Sequence, residues 1–134
     1  MGKEVKKMKK WRSLLLFALG GGVYCGIELL WRGRTYGSMF VLGGACFVIL
    51  GRLGKTCRRM PLLLRALMAA SIVTVMELLC GLIVNRSYGV WDYRQMPLNF
   101  LGQICLPFFA AWMPLGLFAM WLYGKADNML KRIM

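Results

Sequence analysis

The chain contains no histidine and only five acidic residues, so it lacks the side chains that most enzymes use as general bases or metal ligands. Its five cysteines are odd in number, and four of them lie within apolar runs, where cysteine acts as a small hydrophobic residue. Their spacing predicts neither a disulfide framework nor a zinc site. We therefore expect no catalytic residue, no metal site and no cofactor, and a membrane enzyme is the least favoured class of function.

Polar sequence is also scarce, because 59% of the residues are hydrophobic and the mean hydropathy is +0.57. This composition is typical of a chain that lies in lipid. A net charge of +13 suits nucleic-acid binding, but the 18 basic residues stand in short blocks between apolar runs and leave no soluble basic domain. The first apolar run follows a basic segment without a small-x-small cleavage pattern, so we expect it to remain as a membrane span.

Four apolar segments are long enough to cross a bilayer, whose hydrocarbon core of about 30 Å needs about 20 helical residues. These segments are residues 13–31, 36–51, 62–84 and 98–123. The sequence therefore predicts an all-α membrane protein with four transmembrane helices. A basic terminus of residues 1–12 precedes this domain, and a tail of residues 124–134 follows it.

The distribution of lysine and arginine predicts the orientation, because cytoplasmic loops retain positive charge during insertion. Fourteen basic residues lie in the amino terminus, around the middle loop and in the tail, and four lie in the other two loops. This bias predicts a multi-pass protein of the inner membrane with both termini in the cytoplasm. The basic segment of residues 3–12 also fits contact with anionic lipid.

Three short motifs of the first half recur in the second half. The pairs are Glu28-Leu-Leu with Glu77-Leu-Leu, Arg34-Thr-Tyr-Gly37 with Arg86-Ser-Tyr-Gly89, and Leu42-Gly-Gly-Ala-Cys46 with Leu101-Gly-Gln-Ile-Cys105. Because each half crosses the membrane twice, the pattern predicts two tandem in-out-in helical hairpins. We expect a pseudo-two-fold axis along the membrane normal to relate them.

Glu28 and Glu77 are the two carboxylates inside the predicted spans. Each lies 15 residues from the start of its span, which is roughly 22 Å at about 1.5 Å per residue, so both reach the same depth. An intramembrane ionisable group costs on the order of 3 kcal/mol and generally faces protein or water with a partner. One interpretation is a site for a cation, a proton or the amino group of a substrate. The other is a structural role, in which each carboxylate is neutralised by Arg34 or Arg86 or is hydrogen-bonded to a broken helix end. The depth near the interface slightly favours this structural role.

The fourth predicted span carries the amides of Asn99 and Gln103 at a depth similar to that of the glutamates. Pro107 and Pro114 follow them, and a proline inside a helix frees carbonyl groups that can line a cavity. The two amides are therefore candidate binding residues. A structural kink that neighbouring helices satisfy is the more common outcome for such prolines.

The longer outer loop contains Trp91, Asp92 and Tyr93. The two aromatic residues fit either a lid over a cavity or an anchor at the lipid headgroups, and aromatic residues at membrane edges are normally anchors. Asp92 is the type of residue that caps a turn.

The sequence resembles the ABC-transporter type IV family of small bacterial membrane proteins over nearly its whole length after Trp11. The similarity rests on residues 26–33, Gly43-Gly44, Trp91-Asp-Tyr93, Pro97-Leu-Asn99 and Gly102-Gln-Ile-Cys-Leu-Pro107. Arg94 stands where the family typically has serine. The resemblance implies a cell membrane of the Gram-positive type and a permease-like role, while the absence of a P-loop in this sequence implies no ATPase activity of its own.

Two classes of function remain open from the sequence. The first is a membrane transport component with a polar site near Glu28 and Glu77, which needs a homo-oligomer or a larger membrane partner because four helices rarely enclose a permeation path. The second is a membrane scaffold or regulatory subunit that transports nothing.

Overall fold

The computed structural model describes residues 2–33, 37–86, 88 and 91–133, which form four long helices and one short β-hairpin. The elements in chain order are α1 (Gly2–Arg32), α2 (Gly37–Thr56), α3 (Leu62–Val84), β1 (Asn99–Phe100), β2 (Ile104–Cys105) and α4 (Leu106–Ile133). All four helices are long and apolar enough to cross a membrane. The predicted all-α membrane protein with four transmembrane helices is therefore confirmed.

The helices extend past the predicted spans at one end of the bundle. The 31 residues of α1 are about 46 Å long at 1.5 Å per residue, which exceeds the hydrocarbon core. The basic terminus is continuous with α1, and the tail is continuous with α4. We call this end, where α1 and α3 begin and α2 and α4 finish, the basic end. The opposite end, which carries β1 and β2, is the hairpin end.

The prediction of a helix over residues 98–105 is wrong. Asn99 pairs with Cys105 and Phe100 pairs with Ile104 in an antiparallel two-stranded sheet, so α4 begins only at Leu106. The turn between the strands has positive φ at Leu101 (57°) and at Gly102 (67°), as in a type I′ turn. Apolar composition suits this hairpin as well as a helix, and the glycine of the turn decides between them.

The two prolines of the fourth predicted span have different positions. Pro107 is the second residue of α4, where the backbone N–H has no intrahelical partner in any case, so it interrupts nothing. Pro114 lies inside the helix, as expected. Only the second proline therefore frees a carbonyl within α4.

Helix α2 packs against the three other helices, while α1 lies mainly on α2 and makes few contacts with α4. Glycines permit the close approach of α1 and α2. A Cβ atom built on Gly43 would lie 2.4 Å from Cβ of Tyr24, and one built on Gly20 would lie 2.2 Å from Cβ of Phe47. A Cβ atom built on Gly22 or Gly26 meets nothing within 4 Å among the described residues, so these two glycines do not bring the helices close together there.

The relation between the two halves stays a prediction. The third pair of repeated motifs has different structures, because residues 42–46 belong to α2 whereas residues 101–105 form the turn and β2. Residues 34–36, which contain part of the second pair, lie outside the described residues.

Candidate functional site: an acidic cavity between the helices

A cavity of about 310 Å³ lies between the four helices, and Tyr93 of the outer loop contributes to its wall. Most of the lining is aliphatic or aromatic. Apart from the indole of Trp112 and the thiol of Cys46, the polar side chains among the described lining residues are two phenols and two carboxylates, which belong to Tyr24, Glu28, Glu77 and Tyr93. The cavity is thus an apolar space with acidic and phenolic groups.

Glu77 comes from the inward face of α3. Its side chain is only 3% exposed, and Ala70 and Gly81 on the same face are buried as well. The hydroxyl of Tyr93 donates a hydrogen bond of 3.2 Å to Oε2 of Glu77. The face of α3 that carries Glu77 therefore packs inward, and the outer loop reaches the carboxylate.

Glu28 comes from α1 and is half-buried. It lines the same cavity as Glu77, one turn along the helix from Tyr24. Of two small residues that precede it on α1 at helical spacing, Gly21 is buried and Ala18 is exposed. The helix face is thus only partly inward, but the structure brings the two sequence-predicted carboxylates to one cavity.

Two aromatic stacks form part of the cavity wall. The rings of Tyr24 and Trp112 lie 5.9 Å apart at an interplanar angle of 11°, and those of Tyr93 and Phe108 lie 4.8 Å apart at 12°. The first stack joins α1 to α4, and the second joins the outer loop to α4. Sequence reasoning missed Tyr24, Phe108 and Trp112, of which only Tyr24 gave a signal, because it lies one helical turn from Glu28.

A buried hydrogen-bond network lies at the hairpin end of the bundle, beside Tyr93. The amide of Asn85, which is 0% exposed, donates to the carbonyl of Trp91 (2.6 Å) and to Oε1 of Gln103 (2.9 Å). It also accepts a bond from the backbone N–H of Trp91 (3.1 Å). Gln103 Nε2 donates to the Asn85 carbonyl (3.0 Å), and Trp91 Nε1 donates to the Gln103 carbonyl (2.8 Å). We call these three residues the amide network.

The amide network changes the roles expected for the outer-loop residues. Gln103 is buried in the network and Asn99 is exposed on β1, so neither amide projects from a transmembrane helix and neither lines the cavity among the described residues. Trp91 and Tyr93 are buried, which fits a lid better than a lipid anchor. Asn85, which sequence reasoning missed, makes the largest number of these contacts. Its position directly after an apolar helix was the available signal.

Asp92 lies on the outer surface of the loop. It accepts a hydrogen bond from the backbone N–H of Arg94 (3.0 Å) and forms an ion pair with the Arg94 guanidinium (2.8 Å). The side-chain hydrogen bond from Arg94 lowers the pKa of Asp92 to about 2. Asp92 therefore caps a turn of the loop, as expected, and Arg94 is its ion-pair partner.

Two arginines, Arg34 and Arg86, were expected near the glutamates, and the structure describes only Arg86. Arg86 is exposed, and its Nε donates to the carbonyl of Leu82 (2.8 Å) at the end of α3. Arg34 lies outside the described residues.

A second ionic cluster, at the basic end, joins three helices. Asp127 of α4 is 4% exposed and pairs with Arg12 of α1 (2.8 Å), Lys55 of α2 and Lys131 of α4 (3.5 Å). Sequence reasoning missed Asp127. The signal was a single carboxylate within a basic tail, four residues before a lysine.

The described residues contain no group of three or more histidine, cysteine, aspartate or glutamate side chains that could hold a metal ion. Searches of curated proteins and of solved structures found no match. The sequence profile of one family, described as "Putative ABC-transporter type IV", matches residues 22–133. This match covers all four helices except the first part of α1. The chain is therefore a member of that family of membrane proteins.

Proposed function

We propose that the chain is a membrane transport component and that the four-helix cavity is its ligand site. The observation that carries the proposal is that Glu28 and Glu77, from different helices, line one cavity. Two carboxylates in an apolar space attract a cation strongly, because the low dielectric constant of the surroundings leaves the attraction poorly screened. The expected ligand is a cation or the amino group of a substrate. The family description supports the assignment to transport.

The proposal requires a second membrane subunit. The cavity lies beside the sparse α1–α4 contact, and four helices rarely enclose a path for a solute on their own. A homo-oligomer or a larger membrane partner would complete the path. If ATP drives the transport, a separate ATPase must supply it, because this sequence has no P-loop. In this proposal the chain itself catalyses no reaction.

We further propose that the basic end faces the cytoplasm of a bacterial cell, with the protein in the inner membrane. The support is the excess of lysine and arginine at that end. A surface cleft there is lined by Lys9 and Lys10 of α1 and by Arg52 of α2, which donates to the hydroxyl of Ser13 (3.0 Å). These cations suit the phosphate of an anionic lipid, whose chains would lie against the apolar part of the cleft.

Flux measurements in proteoliposomes test the transport role. Uptake of candidate cations and amines is compared between the wild type, Glu28→Gln and Glu77→Gln, with Glu4→Gln, an exposed position on α1, as the matched control. Glutamine keeps an acceptor for Tyr93 but removes the charge. We expect both cavity variants to lose uptake and the control to keep it. Equal uptake by all four proteins would remove the carboxylates from the mechanism and favour a scaffold or regulatory subunit, which pull-down of an integral membrane partner would then identify.

A further inference from the structure

The size of the cavity exceeds what a bare ion requires. Its volume of about 310 Å³ corresponds to about ten water molecules at ~30 Å³ each. Apolar protein cavities of about 150 Å³ accept a benzene molecule, so this one has room for an aromatic ring with a short chain attached. A single bare ion would therefore leave most of this space unfilled.

The wall of the cavity is a poor match for a strongly hydrophilic ligand. Beyond the two carboxylates and two phenols, the described lining residues are apolar apart from the indole of Trp112 and the thiol of Cys46, and none is lysine or arginine. A metal ion needs several oxygen ligands, whereas a polyhydroxylated molecule needs many hydrogen-bond partners. A single ammonium group needs only a carboxylate and an aromatic face, and Tyr24 and Trp112 supply aromatic rings on the wall.

The side of the cavity between α1 and α4 is the side that is exposed to lipid. Three lining residues at the α1–α4 side are substantially exposed on the surface of the bundle, namely Ile27 (47%), Leu115 (39%) and Phe118 (50%). At the hairpin end, Tyr93 lines the cavity and its ring packs beside that of Trp91 in the amide network. Because the open side is apolar, a ligand that already dissolves in the bilayer can pass between α1 and α4 without crossing a polar barrier.

We propose that the cavity binds an amphiphilic organic amine, which enters from the bilayer between α1 and α4. Its ammonium group lies near Glu28 and Glu77, and its apolar body lies against the aromatic wall. This inference rests on the proposed function for the identity of the site, but binding is independent of transport.

Binding is measured by equilibrium dialysis with the full chain in lipid nanodiscs, after subtraction of empty nanodiscs. The probes are 4-phenylbutylamine, the uncharged 4-phenyl-1-butanol and methylamine. We expect saturable binding of the phenylamine, stronger than that of either other probe by at least about tenfold, the usual effect of a charge-assisted hydrogen bond. Equal binding of the alcohol would show that charge is not recognised. Equal binding of methylamine would show that the apolar body is not recognised. Either result overturns the inference.

A matched pair of variants locates the bound amine. Ala111 lines the cavity at its exposed side, and its neighbour Ala110 is exposed without lining the cavity. We expect Ala111→Trp to weaken binding by about tenfold or more through steric exclusion, and Ala110→Trp to leave it unchanged. Glu28→Gln should weaken binding to a similar extent. Unchanged binding in Ala111→Trp and Glu28→Gln would place the amine elsewhere and overturn the inference.

The inference and the proposed function fail in different ways. If uptake of methylamine or sodium depends on the glutamates while the phenylamine does not bind, the inference is wrong and the transport role stands. If the phenylamine binds as predicted but no probe is transported, the inference stands and the transport role is wrong.

Discussion

Replacing Asn85 with alanine is expected to destabilise the protein more than any other single asparagine substitution. The side chain is fully buried and makes three hydrogen bonds, of 2.6, 2.9 and 3.1 Å, to Trp91 and Gln103. Alanine would leave the Trp91 N–H, the Trp91 carbonyl and Gln103 Oε1 without these bonds. Each unsatisfied buried group costs about 1–3 kcal/mol, and neighbouring losses are less than additive, so we expect a total of about 3–5 kcal/mol.

The free energy of unfolding is measured by titrating dodecyl sulfate into mixed micelles and following far-UV circular dichroism. Asn128→Ala is the control, because Asn128 lies exposed on α4, and we expect a change within about 0.5 kcal/mol. Gln103→Ala should cost less than Asn85→Ala, and the double variant should cost less than the sum of the two. A loss below about 1 kcal/mol in Asn85→Ala would refute the view that the amide network holds the lid in place.

Three further predictions concern other parts of the bundle. Gly43→Ala should lower the free energy of unfolding by about 1–3 kcal/mol in the same titration, because its Cβ would lie 2.4 Å from Tyr24. Gly26→Ala is the control and should have little effect, because a Cβ there has open space. Similar values for both variants would contradict the close packing of α1 and α2. Asp127→Asn should lower the free energy of unfolding by about 1–3 kcal/mol, because it leaves three cations uncompensated. The same loss of free energy in 1 M salt would argue against ionic pairing. The pKa of Asp92 is lowered to about 2, so the stabilising effect of its carboxylate is present above the ordinary pKa and is lost as the pH falls towards 2. The free energies of unfolding of the wild type and Asp92→Asn should therefore differ at pH 7 and converge near pH 2. A constant difference would show that the carboxylate charge is not involved.

The sequence was informative where one physical constraint dominates. A span of the bilayer requires about 20 apolar residues in a helix, so the four helices could be found by length and composition alone. The same constraint predicts an equal depth for Glu28 and Glu77, one in each of the two tandem helical hairpins. Because buried carboxylates avoid lipid, their positions within the spans also indicated inward faces. That both line one cavity is consistent with this reasoning.

The hairpin end was not predictable from hydropathy. Hydropathy does not separate residues 98–105 from a segment that continues a transmembrane helix. The hairpin depends instead on local conformation, with positive φ at Leu98, Leu101 and Gly102. Such a conformation in a leucine is unfavourable by itself and is set by the surrounding contacts. Gln103 has its position because Asn85, 18 residues away, binds it. A pairing between distant amides leaves no periodic pattern in a single sequence.

The most direct test of the central claim, that Glu28 and Glu77 form one cation site, uses the carboxyl carbons themselves. The chain has three glutamates, of which Glu4 lies exposed on the basic extension of α1. Selective ¹³C labelling of glutamate therefore gives three side-chain carboxyl signals in solid-state NMR spectra of the protein in lipid, and the glutamine variants assign them. On titration with 4-phenylbutylamine, the signals of Glu28 and Glu77 should shift with a common midpoint while that of Glu4 stays constant. A shift of only one cavity glutamate, or two separate midpoints, would contradict a shared site.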